Sequence, residues 1–371
     1  MGGAGRDGRR QPDHRGELTV SGGQAAGSAR NDAAAGHAGD GGARRSARGS
    51  EFSADRRGAT ERQLRETICR RASVVARRLL VSPAPMTRFR TACALVVAAL
   101  VAGTDLRSEG TLPNKPDSLK FAVIGDNGTG DEPQDELGAE MHRVRDRFPF
   151  TLVLMLGDNF YGRQRPDDLR QKFDRPYAPL LAAGVRFQAV IGNHDEPDTI
   201  EYPPLNMDGR RYYTFAEGNV RFFAIDSNSL DPRELNWLTS ALAAATEPWK
   251  IAYFHHPLYS NGDRHGSSIE TRVLLEPLLR KSGVSVVFSG HDHVYERLKP
   301  QHGITYFVCG SGGQLRKGGL KPASTTAAGY DQDRAFLVAE IDGDLLFFEA
   351  VTRTGAIVDS GVIQRRAPIG S

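Results

Sequence analysis

From Leu119 onward, short apolar runs alternate with longer amphipathic stretches. "KFAVIGD" at 120–126 and "TLVLMLGD" at 151–158 are continuous apolar runs that stop at Gly-Asp, the pattern of buried strands. Between them, "ELGAEMHRVRDRF" at 136–148 has helical spacing. "RPDDLRQKFDRPYAPLL" at 165–181 is also helical in pattern, with a break expected at Pro176 and Pro179. "VRFQAVIGN" at 185–193 predicts a third strand, and "YYTFAEGNVRFFAIDS" at 212–227 a hairpin turning at Glu217-Gly218-Asn219. "PRELNWLTSALAAA" at 232–245 predicts a helix with Asp231 as N-cap and Pro232 in its first turn. Strand "KIAYFHH" at 250–256, helix "SIETRVLLEPLLRKS" at 268–282, and strands "VSVVFSGHDH" at 284–293 and "ITYFVCGSGG" at 304–313 follow. After Arg334 only strand-like runs remain, "AFLVAEID", "LLFFEAVT" and "AIVDSGVI", with turns at Gly343 and Gly355. Strand–helix alternation with a β-rich end predicts an α/β protein, a layered sandwich in which two sheets pack between helices.

Each apolar run ends in a polar cluster. Asp126 follows "FAVIG", Asp158 and Asn159 follow "LVLMLG", and Asn193, His194 and Asp195 follow "QAVIG". His255 and His256 follow "IAYF"; His291, Asp292 and His293 follow "VVFSG". Ligand sites of α/β sheets gather beyond the carboxyl ends of the strands, so neighbouring parallel strands would bring all five clusters together. The collected groups are carboxylates, an amide oxygen and imidazoles. That mixture suits Zn²⁺, Mn²⁺, Fe or Co, not Ca²⁺ or a thiolate metal. Asp126, Asp158, Asn193, His255, His291 and His293 are too many donors for one catalytic ion that keeps an open position; two ions sharing a carboxylate fit better.

Composition changes the picture only at the N-terminus. The net charge of +3 is unevenly spread: residues 1–85 carry about +7 and the chain from Thr104 about −6, which argues against a nucleic-acid partner. Residues 1–85, rich in Gly, Ala, Arg and Ser with Phe52 as their single aromatic, lack the apolar surface to offset ordering entropy. They form a disordered basic arm or precede a true start at Met86. "MTRFRTACALVVAALVAGTD" has two arginines, a short apolar core and a small-residue exit, the layout of a secretory signal peptide over 86–103. An uncleaved membrane anchor is the alternative. Residues 104–371 are the expected globular domain, secreted or periplasmic, or held outside a membrane if the segment stays uncleaved. Of Cys69, Cys93 and Cys309, only Cys309 lies within it, so it has no internal disulfide.

The ordered set "GDNG", "GDNFY", "GNHD", "HHP" and "GHDH" resembles the calcineurin-like metallophosphoesterases, and most closely their purple, tartrate-resistant type of acid phosphatase. Many members of the superfamily carry a metal-binding histidine two residues after the first aspartate; here Gly128 stands there. The purple type instead uses a tyrosine three residues after the second aspartate, and Tyr161 is three after Asp158. The resemblance implies a four-layer α–β–β–α sandwich of two mixed sheets. It also implies two ions, the first on Asp126, Asp158, Tyr161 and His293, the second on Asp158, Asn193, His255 and His291. His255 is preferred to His256 because the family pattern is His-x-Pro. Fe³⁺ is implied at the Tyr161 position, with Fe²⁺, Zn²⁺ or Mn²⁺ at the second.

By the same resemblance, His194 and Asn193 would contact the phosphate, and His194 or His265 would protonate the leaving group. The implied activity is hydrolysis of phosphate monoesters by hydroxide drawn from a metal-acidified water, on a small phosphorylated substrate or a phosphoprotein. A phosphodiesterase on the same scaffold, or a metal- or phosphate-binding protein without catalysis, are the alternatives. Asp195 and Asp292 are expected to brace loops or histidines, and Glu296 to pair with Arg297. Glu196 departs from the histidine that many relatives place after "GNHD".

Overall fold

The computed structural model describes residues 112–367; the segments 1–85 and 86–103 lie outside the described residues. The elements are β1 Leu119–Ile124, α1 Glu132–Arg147, β2 Leu152–Met155, α2 Pro166–Leu169, α3 Arg175–Ala182, β3 Arg186–Ala189, β4 Tyr213–Glu217 and β5 Val220–Ala224. They continue with α4 Pro232–Ala244, β6 Trp249–Tyr253, α5 Ile269–Lys281, β7 Val286–Ser289, β8 Tyr295–Leu298 and β9 Thr305–Cys309. β10 Thr326–Tyr330, β11 Ala335–Asp342, β12 Leu345–Thr352 and β13 Ile357–Gln364 complete the described chain.

The strands form two mixed sheets, a six-stranded one in the order β13-β12-β11-β1-β2-β3 and a seven-stranded one in the order β10-β8-β9-β7-β6-β5-β4. Strands β1, β2 and β3 run parallel in the first sheet, and β5, β6, β7 and β9 in the second. The inner faces meet through aromatic rings: Phe121 of β1 packs edge-on against Phe222 of β5 at 5.6 Å and Phe288 of β7 at 6.2 Å. Leu137, Met141 and Val144 of α1 join Phe173 and Tyr177 on the outside of the first sheet. Leu238, Leu242, Leu275 and Leu279 of α4 and α5 cover the outside of the second in a separate apolar cluster. The protein is therefore a four-layer α–β–β–α sandwich, as its pattern implied, and β2, LVLM, is apolar and buried throughout because both of its faces are covered.

Helix α4 begins as its sequence dictates, with the Asp231 carboxylate accepting from the N–H groups of Arg233 and Glu234. The expected break at Pro176 and Pro179 does not occur: after α2 the chain passes through a π-helical turn at Arg170–Asp174 and runs on as α3. Pro176 has no N–H for the carbonyl of Lys172, and the Gln134 amide, from α1, donates to that carbonyl at 2.6 Å instead. The Glu296–Arg297 pair does not form either. Adjacent residues of β8 face opposite sides of the sheet. Arg297 pairs with Asp359 of β13 at 2.7 and 3.0 Å, and Glu296 accepts from the Asn261 backbone and side chain and from Thr326.

Candidate metal centre

The carboxyl ends of β1, β2 and β3 in one sheet face those of β6 and β7 in the other, and every polar cluster flagged in the sequence sits at one of these ends. The loops are stitched together by the backbone: Asp126 N–H donates to the Gly157 carbonyl, and Gly290 N–H to the His255 carbonyl. Asp126, Asp158 and His291 each follow a glycine and adopt left-handed φ values of 55°, 51° and 70°. Strained backbone at non-glycine residues marks sites where geometry matters more than local comfort. Glycines let the loops close in. A Cβ on Gly290 would lie 2.3 Å from Asp126 Oδ2, and one on Gly310 of the "CGSGG" turn 2.9 Å from the same atom. One on Gly128 would lie 1.8 Å from the Asn159 carbonyl oxygen, so the backbone here has no room for the histidine found in many relatives.

The expected first set gathers around Tyr161. Its hydroxyl lies 3.1 Å from Asp126 Oδ1 and 3.2 Å from His293 Nε2, which is 3.5 Å from the same carboxylate oxygen. Donor atoms of Asp126, Asp158 and His293 all lie within 4.8 Å of one another. The expected second set gathers around His255 Nε2, with Asn193 Oδ1 and His291 Nδ1 each at 3.1 Å and Asp158 Oδ1 at 3.4 Å.

The donor chemistry fits cations. His255 Nδ1 lies 2.9 Å from the Leu156 carbonyl, which can only accept, so Nδ1 carries the proton and Nε2 presents a lone pair. That lone pair faces two further acceptors, the oxygens of Asn193 and Asp158, and the one ring nitrogen beside it that could carry a proton is His291 Nδ1 at 3.1 Å. Such a cluster is repulsive by itself and is relieved by a positive ion. Burial pushes His255 well below the usual imidazole range and His291 down to about 2, which keeps both neutral and able to coordinate. Burial, with help from Asp158, raises Asp126 to about 7, and burial with the same carboxylates pushes the Tyr161 phenol far up. A cation at the centre reverses both trends, because it stabilises carboxylate and phenolate.

His194 and His265 flank the centre on its exposed side. The His194 N–H donates to Asp158 Oδ1 at 2.9 Å, and its ring lies 4.9 Å from that of Tyr161. The His265 ring is 4.0 Å from that of His291. Asp195 braces the "GNHD" loop, accepting from the N–H groups of Gly192 and Phe160 and the amide of Asn159. Asp292 braces the His265 loop through the N–H groups of His265 and Gly266 and the hydroxyl of Ser260. Sequence reasoning missed Gln164, which donates to the His194 carbonyl at 2.8 Å and accepts from Glu196 N–H and the Thr199 hydroxyl. It also missed the Leu156 carbonyl, a backbone group that no side-chain pattern can flag.

His255, His256 and His291 also offer three nitrogens close enough to hold an ion. His256, however, has Nδ1 engaged to the Ser227 hydroxyl at 2.9 Å, whereas His255 sets Nε2 against Asn193 and Asp158. The geometry favours His255 as the inward-facing member of the pair.

Residues 119–295 match the family model for calcineurin-like phosphoesterases. The chain is similar to purple acid phosphatase 17 of Arabidopsis thaliana, with 26% identity over 283 residues, 64% of this chain and 83% of that protein. It is likewise similar to tartrate-resistant acid phosphatase type 5 of Homo sapiens, with 26% identity over 238 residues, 53% of this chain and 73% of that protein. Among solved structures, purple acid phosphatase PPD1 from yellow lupin (Lupinus luteus) seeds shares the fold, with a TM-score of 0.54 at 20% identity over 69% of this chain and 55% of that chain.

Proposed function

We propose, from the match of residues 119–295 to the calcineurin-like phosphoesterase family model, that this chain is an exported acid phosphatase that hydrolyses phosphate monoesters with two metal ions. The observation that supports this reading best is the pair of donor sets meeting at Asp158 between the two sheets. Asp126, Asp158, Tyr161 and His293 would hold the first ion; the phenolate favours Fe³⁺ there. Asp158, Asn193, His255 and His291 would hold the second, Fe²⁺, Zn²⁺ or Mn²⁺. When bound, the ions supply a nucleophilic water at low pH and neutralise charge at phosphorus.

The chain's own residues do the rest. Asn193 turns Oδ1 toward His255, which leaves its amide N–H₂ to donate to a phosphoryl oxygen. His194 stands beside Tyr161 with its backbone tied to Asp158, so its imidazole donates to the phosphate. His265, whose N–H is held by Asp292 on the other flank, would give a proton to the leaving alkoxide; His194 is the other candidate. The proposed substrate is a small phosphorylated molecule or a phosphoprotein. Export rests on the signal-like segment at 86–103, with a membrane tether if that segment is retained. No helix among the described residues is long and apolar enough to cross a membrane.

The test is phosphate release from p-nitrophenyl phosphate between about pH 4 and about pH 9, with Asp158→Asn alongside. Metal-dependent turnover, greatest on the acid side and lost in the variant, is the expected result. Retained turnover in Asp158→Asn overturns the shared-carboxylate reading. Faster hydrolysis of bis(p-nitrophenyl) phosphate than of the monoester replaces the monoesterase with a diesterase.

A further inference from the structure

Beside the second donor set lies a cleft of about 580 Å³ whose wall includes Asn193, His256, Arg211, Asn228, Ile191 and Ile200. Its chemistry turns on two adjacent histidines with opposite hydrogen-bond polarity. His255 gives its Nδ1 proton to the Leu156 carbonyl and keeps a lone pair on Nε2. For His256 the partner is a hydroxyl. Ser227 Oγ accepts the His256 backbone N–H at 2.9 Å and lies 2.9 Å from His256 Nδ1. Among the described residues, Nδ1 is the acceptor within reach of the Ser227 hydroxyl proton; with that proton given to Nδ1, the neutral ring carries its own on Nε2. A protonated Nε2 cannot ligate a metal. It can donate a hydrogen bond. On the same wall, Asp226 holds the Arg211 guanidinium at 2.5 Å and is itself held by the N–H and amide of Asn228, each at 2.9 Å.

We propose that His256 is a substrate-binding residue whose Nε2–H donates to an oxygen acceptor on the organic part of a phosphate monoester seated in this cleft. Arg211 is a second donor to the same part of the ligand. The substrate class is then a phosphomonoester of a polyol or hydroxy acid, whose extra oxygens use these donors, in preference to one with a purely apolar leaving group. The substrate half of this proposal rests on the phosphatase reading; the tautomer half does not.

Two measurements test it. In metal-free protein, nitrogen-15 NMR of the imidazoles is expected to show His256 as the Nε2–H tautomer and His255 as the Nδ1–H tautomer, with the His256 preference lost in Ser227→Ala. An Nδ1–H tautomer at His256 in the unaltered protein overturns the proposal. In the metal-loaded enzyme, kcat/KM is compared for glycerol 2-phosphate and phenyl phosphate. His256→Ala is expected to lower the ratio of the two about tenfold, the worth of one hydrogen bond. His256→Gln, which keeps a donor at similar reach, is expected to recover part of it, with bound metal equal in all three proteins. An unchanged ratio overturns the substrate role, and lost metal reassigns His256 to the centre. If the unaltered enzyme hydrolyses neither ester, the phosphatase reading and the substrate half fall together, while the tautomer measurement still stands on its own.

Discussion

Gly192→Ala probes the approach of the "GNHD" loop to the Asp158 loop in the centre. A Cβ at this position would lie 2.1 Å from Asp158 Oδ1, 2.3 Å from Asp158 N and 2.8 Å from Asp158 Cγ, where ordinary contact begins at 3.4 Å. Turning the carboxylate relieves the first and third overlaps. It does not relieve the second, because that atom is backbone, so the Asp158 loop must retreat by about 1 Å. Its left-handed φ of 51° and its hydrogen bond from His194 leave it little freedom to do so without disturbing both donor sets. Overpacking of this kind costs about 1–3 kcal/mol, and a misplacement of about 1 Å at a reacting centre costs on the order of a hundredfold in rate. Urea unfolding, metal content by mass spectrometry and turnover of p-nitrophenyl phosphate read the three consequences. Gly184→Ala is the control: nothing lies within 4 Å of its Cβ, and its φ of +75° alone predicts a loss of about 1 kcal/mol with metal and rate intact. A Gly192→Ala protein that binds two metals and turns over within about threefold of the unaltered enzyme refutes the reasoning.

Phe121→Ala removes the ring that meets Phe222 and Phe288 between the sheets and is expected to cost about 3–5 kcal/mol, read from the denaturant midpoint; a loss below about 1 kcal/mol means the sheets collapse onto the gap. Burial raises Glu234 to about 8 from 4.5, so the folded state holds a proton that the unfolded chain releases. Its contribution is full below about 4.5 and is lost as pH rises through about 8. Glu234→Gln removes that slope, so the variant gains on the unaltered protein from acid to alkaline pH; parallel stability curves refute this. Chelation of bound metal is expected to lower the apparent stability by about 2.7 kcal/mol where metal had been at a hundredfold its dissociation constant. An unchanged melting point after chelation removes the case for ions in this centre.

The sequence by itself determined that strands lie at the buried apolar runs, though β2, β3 and β7 are shorter than those runs because the chain leaves the sheet at the polar clusters. The boundaries of β11 and β12 coincide with the runs "AFLVAEID" and "LLFFEAVT". It also determined the chemistry available at each strand end, because a carboxylate or imidazole immediately after a buried run has few structural reasons to be there. Strand β10, "TAAGY", escaped notice because it has no apolar pattern and is held by its pairing with β8.

What only the tertiary structure decided is which partner each polar group finds. Arg297 turned from its neighbour Glu296 to Asp359, across 62 positions, because a strand points successive side chains to opposite faces. Pro176 did not end its helix because an amide from α1 took the stranded carbonyl. His255 and His256 are the same residue side by side, and nothing in their order separates them. A carbonyl 99 positions away sets the proton of one, and a hydroxyl 29 positions away sets that of the other. Proton placement depends on whether the nearest partner accepts or donates, and that partner is brought there by the packing of two sheets, not by the local chain.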